Sequence, residues 1–156
     1  MNIQIHESYP PIAIAQIKSL EERLGMQLPQ NYINFLLSHN GGFPEIGGFV
    51  YRSEAANRLG VVNRFLGIHS GKYDNLDDYL MLYKEREKRI PSNLIPIAND
   101  PGGNLICLSI DGSDLGNVYF WDHDWESEDE AEVNYSNVYC IANSLEEFFQ
   151  NLRKFD

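Results

Sequence analysis

The 156-residue chain is 43% hydrophobic and 22% charged, a balance that excludes a disordered polypeptide and gives a length suited to one core, so residues 1–156 are expected to form a single domain. Its 23 acidic and 12 basic residues leave a formal net charge of −11. That balance argues against a nucleic-acid reader and against attachment to acidic membranes, both of which need a basic face.

The opening "MNIQIHESYPP" lacks the basic and apolar regions of a signal peptide, and no apolar run reaches membrane-spanning length, so a cytoplasmic location is expected. Ile14, Ile17, Leu20 and Leu24 recur at helical spacing, and Gly25 follows where a left-handed cap is wanted. Pro29 suits the first turn of a second helix with Tyr32, Phe35 and Leu36 on one face, stopped by Asn40-Gly41-Gly42. "EIGGFVYR" and "LGVVNRFLGIH" have the β-branched and aromatic content of strands. Phe43 and Phe49, around the first of them, read as core residues.

A third helix is expected over Asn75 to Arg89, with Leu76, Tyr79, Leu80 and Tyr83 on one face, acids at its start and bases at its end. "LIPIA", "NLICLSI" and "NVYFWD" then read as three antiparallel strands, because "NDPGG" and "DGSDLG" are too short for crossovers. "NVYCIA" adds another strand, and Ser144 with Glu147 forms a capping box for a last helix carrying Leu145, Phe148, Phe149 and Leu152. Cys107 and Cys140 lie among strand-type residues and read as two buried, reduced thiols. The order of elements fits an α+β fold with an antiparallel sheet packed against helices, and neither βαβ alternation nor a glycine-rich phosphate loop is present.

Three segments, "LPQNYINFLLSHNGG", "LIPIANDPGGNLICLSI" and "GNVYFWDH", resemble in their order and separation the SUKH superfamily. That superfamily joins fungal cell-wall-assembly regulators and killer-toxin-resistance proteins with bacterial immunity proteins of contact-dependent and polymorphic toxin systems. The likeness runs from about Ile14 to Phe149. It implies a curved, antiparallel or mixed sheet packed on helices. It also implies a non-enzymatic immunity protein whose partner is a cognate toxin domain of nuclease or deaminase type. The matching residues have structural work of their own: Tyr32, Phe35 and Leu36 bury a helix face, Gly41 or Gly42 turns the backbone, and Ile97, Ile106, Leu108 and Val118 fill one side of the sheet. Trp121 reads as core.

The stretch "WDHDWESEDEAE", Trp121 to Glu132, holds seven acids and both tryptophans. As a calcium loop counted from Asp122 it places Asp124 and Glu126 correctly but fails at Ser127 and Val133, where glycine and glutamate are required. His123 has no histidine or cysteine nearby to complete a zinc site, and no nucleophile elbow, metalloprotease helix or Walker loop occurs, so no cofactor, metal or catalytic residue is assigned. A block of like charges is ordinarily a solvated face. Here Trp121 and Trp125 bracket its start, and aromatic anchors inside a charged rim suit a binding hot spot. The residues expected to contact a basic partner are therefore Asp122, Asp124, Trp125, Glu126, Glu128, Asp129 and Glu130, the acids steering association and Trp125 anchoring it. An adaptor resembling the cell-wall-regulator branch is the alternative, with a metal protein or hydrolase behind it; the lack of disordered arms favours the toxin-immunity branch.

Overall fold

The computed structural model describes residues 3–126 and 133–155. Its elements run β1 (Ile5–His6), α1 (Ile14–Leu24), α2 (Gln30–Ser38), β2 (Phe43–Pro44), β3 (Gly48–Ser53), β4 (Ala56–Val61), β5 (Arg64–Phe65), α3 (Leu76–Tyr79), β6 (Leu94–Asn99), β7 (Leu105–Ser109), β8 (Val118–Trp121), β9 (Val138–Ala142) and α4 (Leu145–Asn151). A five-stranded antiparallel sheet, β5-β6-β7-β8-β9, is accompanied by two antiparallel pairs, β1-β2 and β3-β4. The fold is α+β, as expected. Among the described residues no helix is long and apolar enough to cross a membrane.

Every residue of β6, β7 and β8 is buried, so alternate side chains need two separate cores. On one face Ile95, Ile97, Ile106, Leu108, Val118 and Phe120 pack with residues of α1, α2 and α4. On the other Leu94, Leu105, Cys107, Tyr119 and Trp121 pack with Ile90 and Val138, beneath Tyr79 and Tyr83. The pairing of β6 with β7 shifts between Pro96 and Ala98, leaving Ile97 as an extra residue and bending the strand. Trp121 is fully buried, as expected.

The helices α1, α2 and α4 form where their stop and start signals place them. Gly25 ends α1 at φ +65°, and the Glu21 carboxylate accepts the Leu28 N–H at 2.8 Å, which ties α1 to the approach to α2. Ile17 and Leu20 are buried, but Ile14 faces solvent from the first turn and does not join the expected stripe. At α4 the Ser144 hydroxyl accepts the Glu147 N–H at 3.0 Å.

Other expectations are corrected. The third helix is α-helical only over α3 and continues as a π-helix from Leu80 to Arg86; the wider turn keeps Leu80 buried and Tyr83 against Trp121, a packing demand that a 3.6-residue period does not express. "LGVVNRFLGIH" is two strands, because Val62 and Asn63 break away from β4 and carry the chain into β5 of the main sheet. Phe49 is buried, whereas Phe43 is half-buried beneath the Arg64 guanidinium, 4.3 Å from its ring centre. Cys107 is buried, but Cys140 is exposed because β9 is the sheet's edge strand.

Asn40 explains the "HNGG" motif. Its side-chain amide donates to the carbonyls of Pro10 (2.9 Å) and Ile68 (2.8 Å) and its oxygen accepts the Ile68 N–H (2.7 Å), joining three loops at a buried point. Gly41 (φ +73°) and Gly42 (φ +122°) follow, and a Cβ at Gly42 would lie 2.6 Å from the His6 carbonyl oxygen. At the other end of the sheet Asp114 accepts hydrogen bonds from Asn93 and Ser109 (2.9 Å each), Tyr119 (2.6 Å) and Tyr135 (2.9 Å). Burial pushes its carboxyl up, but the hydrogen bonds from Tyr119, Ser109 and Tyr135 outweigh burial and leave it below the ordinary 3.8.

Two stability measurements follow from these networks. Asn40→Ala should lower stability by about 2–3 kcal/mol in urea unfolding, because buried backbone groups of two loops lose their partners. The depressed Asp114 carboxyl contributes stability that is complete above its unfolded value of 3.8 and disappears as pH falls through the lower folded value. Asp114→Asn should therefore unfold at lower urea concentration at neutral pH and lose less of its remaining stability on acidification than the parent protein.

Candidate partner-binding surface

Strand alternation brings the β6–β7 turn and the segment after β8 to one end of the sheet, since Asn99 pairs with Leu105 and Leu105 with Trp121. The turn is held by Asp100, whose carboxylate accepts the N–H groups of Gly102 (2.9 Å) and Asn104 (2.7 Å) and the Asn104 amide (2.9 Å). Asn104 in turn accepts the His123 N–H at 3.0 Å, and His123 Nε2 lies 2.8 Å from the Gly102 carbonyl oxygen. His123 is thus a latch between two loops.

The root of the acidic stretch is fixed on both sides. Asp122 and Asn137 bond through their backbones (3.0 Å), and the Asn137 amide donates to the Asp122 carbonyl (3.0 Å). The Asp122 carboxylate accepts the Asp124 N–H at 3.0 Å and starts a single 3₁₀ turn, His123–Trp125. This turn lifts Trp125 away from the core, with 63% of its surface exposed, beside the exposed Asp124 carboxylate.

Glu126 is placed differently. Its carboxylate takes both Nε (3.1 Å) and Nη2 (2.5 Å) of Arg89, a bidentate pair on a guanidinium that also lies over the rings of Tyr83 (4.9 Å) and Trp121 (5.3 Å). Its charge is matched inside the chain. Glu128, Asp129 and Glu130 lie outside the described residues. Of the expected contact residues, Asp124 and Trp125 are therefore exposed, Asp122 is half-buried beside them with its carboxylate holding the turn, and Glu126 serves as the tether.

Two residues of this end carried no partner expectation. Asp100 reads in the sequence only as part of the "NDPGG" turn. Tyr51 of β3 packs against Phe120 (ring centres 4.5 Å apart) and Tyr139 (5.7 Å), and its phenol is raised by burial first and then by the charge of Asp122. Among the described residues no group of three or more His, Cys, Asp or Glu side chains converges as metal ligands would.

The sequence model described as the SMI1 / KNR4 family (SUKH-1) matches residues 11–151. The chain is also similar to the SPbeta prophage-derived uncharacterized protein YokK of Bacillus subtilis (strain 168), 31% identical over 160 aligned residues that cover 92% of this chain and 77% of that protein. By the extent of the family match, over the same span that holds the helices and the five-stranded sheet, the chain belongs to the SMI1 / KNR4 family (SUKH-1) of the SUKH superfamily.

Proposed function

We propose that this protein is a non-enzymatic immunity protein that binds a basic toxin domain, of nuclease or deaminase type, in a stoichiometric complex in the cytoplasm and blocks its active surface. Family membership supports the class of function, and the similarity to a prophage-derived protein is consistent with a mobile toxin-immunity setting. The observation that carries the reading is Trp125, a large aromatic held out from the fold by a fixed turn, beside the carboxylates of Asp122 and Asp124. A rigid exposed aromatic loses little conformational freedom on docking, and carboxylates around it favour Arg and Lys of a nucleic-acid-cleaving enzyme. Asp100 belongs to the same face, and Glu128, Asp129 and Glu130 extend its charge in sequence. Glu126 fixes the start of this stretch.

The partner is to be isolated by affinity capture from the native cells at low salt and then expressed alone. The expected result is a basic polypeptide that is toxic by itself and silenced when this protein is co-expressed; a captured partner without toxicity would favour the adaptor reading. With that partner in hand, Trp125→Ala should weaken binding by about 2 kcal/mol, roughly 30-fold, with the melting temperature nearly unchanged. Converting Asp124, Glu128 and Glu130 together to Lys should slow association by roughly 10- to 1000-fold at low salt. An unchanged association rate would remove the acidic stretch from the interface.

A further inference from the structure

Among the described residues, no further strand pairs with the outer side of β4. Its partner β3 is covered on its other side, where Gly48 and Arg153 exchange backbone hydrogen bonds (2.9 and 2.8 Å) and Tyr51 packs on Tyr139. The Val62 N–H donates to the Gly47 carbonyl, and Gly48 pairs with Val61, so strand alternation turns the backbone groups of Asn57, Leu59 and Val61 away from β3. Among the described residues these groups have no backbone partner. Leu59 is 66% exposed and Val61 is also exposed. The strand holds no proline, no lysine and no inward-pointing acid, the usual guards of an open edge.

We propose that β4 pairs with β4 of a second copy of this chain, antiparallel across a twofold axis at Leu59, to make a continuous four-stranded sheet. The edge is self-complementary in this register. Asn57 meets Val61 of the second copy, Leu59 meets Leu59, and Val61 meets Asn57, three pairs of outward-facing residues that exchange about six backbone hydrogen bonds. Arg58, the one charged residue of the strand, falls opposite Gly60 of the second copy. A register that opposed Arg58 to Arg58 would set like charges face to face, and one centred on Gly60 would pair fewer of the outward residues. The two Leu59 side chains and the flanking Val61 side chains share one face, so pairing withdraws exposed apolar surface from water.

Strand pairing alone buries less than a permanent interface needs, so the dimer is a transient one. Each copy carries a net charge of −11, and the two repel. Self-association therefore strengthens as salt rises and screens that repulsion, the opposite of the salt response of a basic partner on the acidic end.

Sedimentation of the intact protein from micromolar to millimolar concentration, at low and high salt, provides the first test. The expected result is a concentration-dependent dimer favoured by salt and weakened at least about tenfold by Leu59→Lys, which sets two like charges at the twofold axis. A monomer at millimolar concentration in high salt overturns the proposal. Register is read by cysteine crosslinking in a Cys140→Ser background. Leu59→Cys should oxidise to a covalent dimer, since residues paired across a hydrogen-bonded position have Cα atoms about 5.5 Å apart, within disulfide reach. Val61→Cys should not, because the two copies of that residue lie about four residues, or 13 Å, apart along the strands. Equal crosslinking at both positions, or none at Leu59→Cys, overturns it.

Discussion

Burial of β6, β7 and β8 on both faces is the constraint from which the rest of the architecture follows. A strand whose every side chain is inside the protein demands cover on two sides, and a chain of this length must divide its remaining elements between them. The helices α1, α2 and α4 cover one side. The other is covered by the short helical segment through Tyr79 and Tyr83, with Tyr135 folding back over Tyr119 at a ring separation of 5.4 Å. The polar network around Asp114 and the Arg89–Glu126 pair stand at the margins of this second, thinner layer, where hydrogen bonds supplement limited apolar contact.

The same constraint shapes the acidic end. Because Trp121 is drawn fully into the second core, the residues that follow must leave the sheet immediately, and the 3₁₀ turn begun by Asp122 makes that exit. The negative charges at this end are not equivalent. Glu126 is matched by Arg89 and Asp100 is engaged by three donors, while Asp124 faces water. A count of acids in sequence overstates the open field at this end.

The sequence shows most clearly those features that depend on local chemistry. Gly25, Pro29 and Ser144 mark helix ends through backbone conformation and capping, and each lies where the structure uses it. The short turns around Pro101 and Gly112, between apolar runs such as Leu105 to Leu108, specify antiparallel strands for the same reason. What escapes is whatever depends on a distant neighbour. The π-helical continuation answers to Trp121, more than thirty positions later; the exposure of Ile14 and Cys140 reflects which faces are left uncovered; and the arrival of the β6–β7 turn and the segment after β8 at one end comes from strand register. At the acidic end the residue types could be read in advance, but the division between a tethered Glu126 and an open Trp125 could not, because Arg89 is 37 residues away from Glu126.

The two tryptophans, only four positions apart, occupy opposite environments: one indole is sealed in the second core, its N–H without a partner among the described residues, and the other stands in solvent at the acidic end. This gives the molecule two separate optical reporters. The buried indole is expected to emit to the blue, to lose that environment only when the sheet opens, and so to report the integrity of the fold. The exposed one is expected to emit to the red, to be reached by soluble quenchers, and so to report whatever settles on the surface around it. A red-edge signal that becomes shielded while the blue component holds steady is the spectral signature of docking without unfolding.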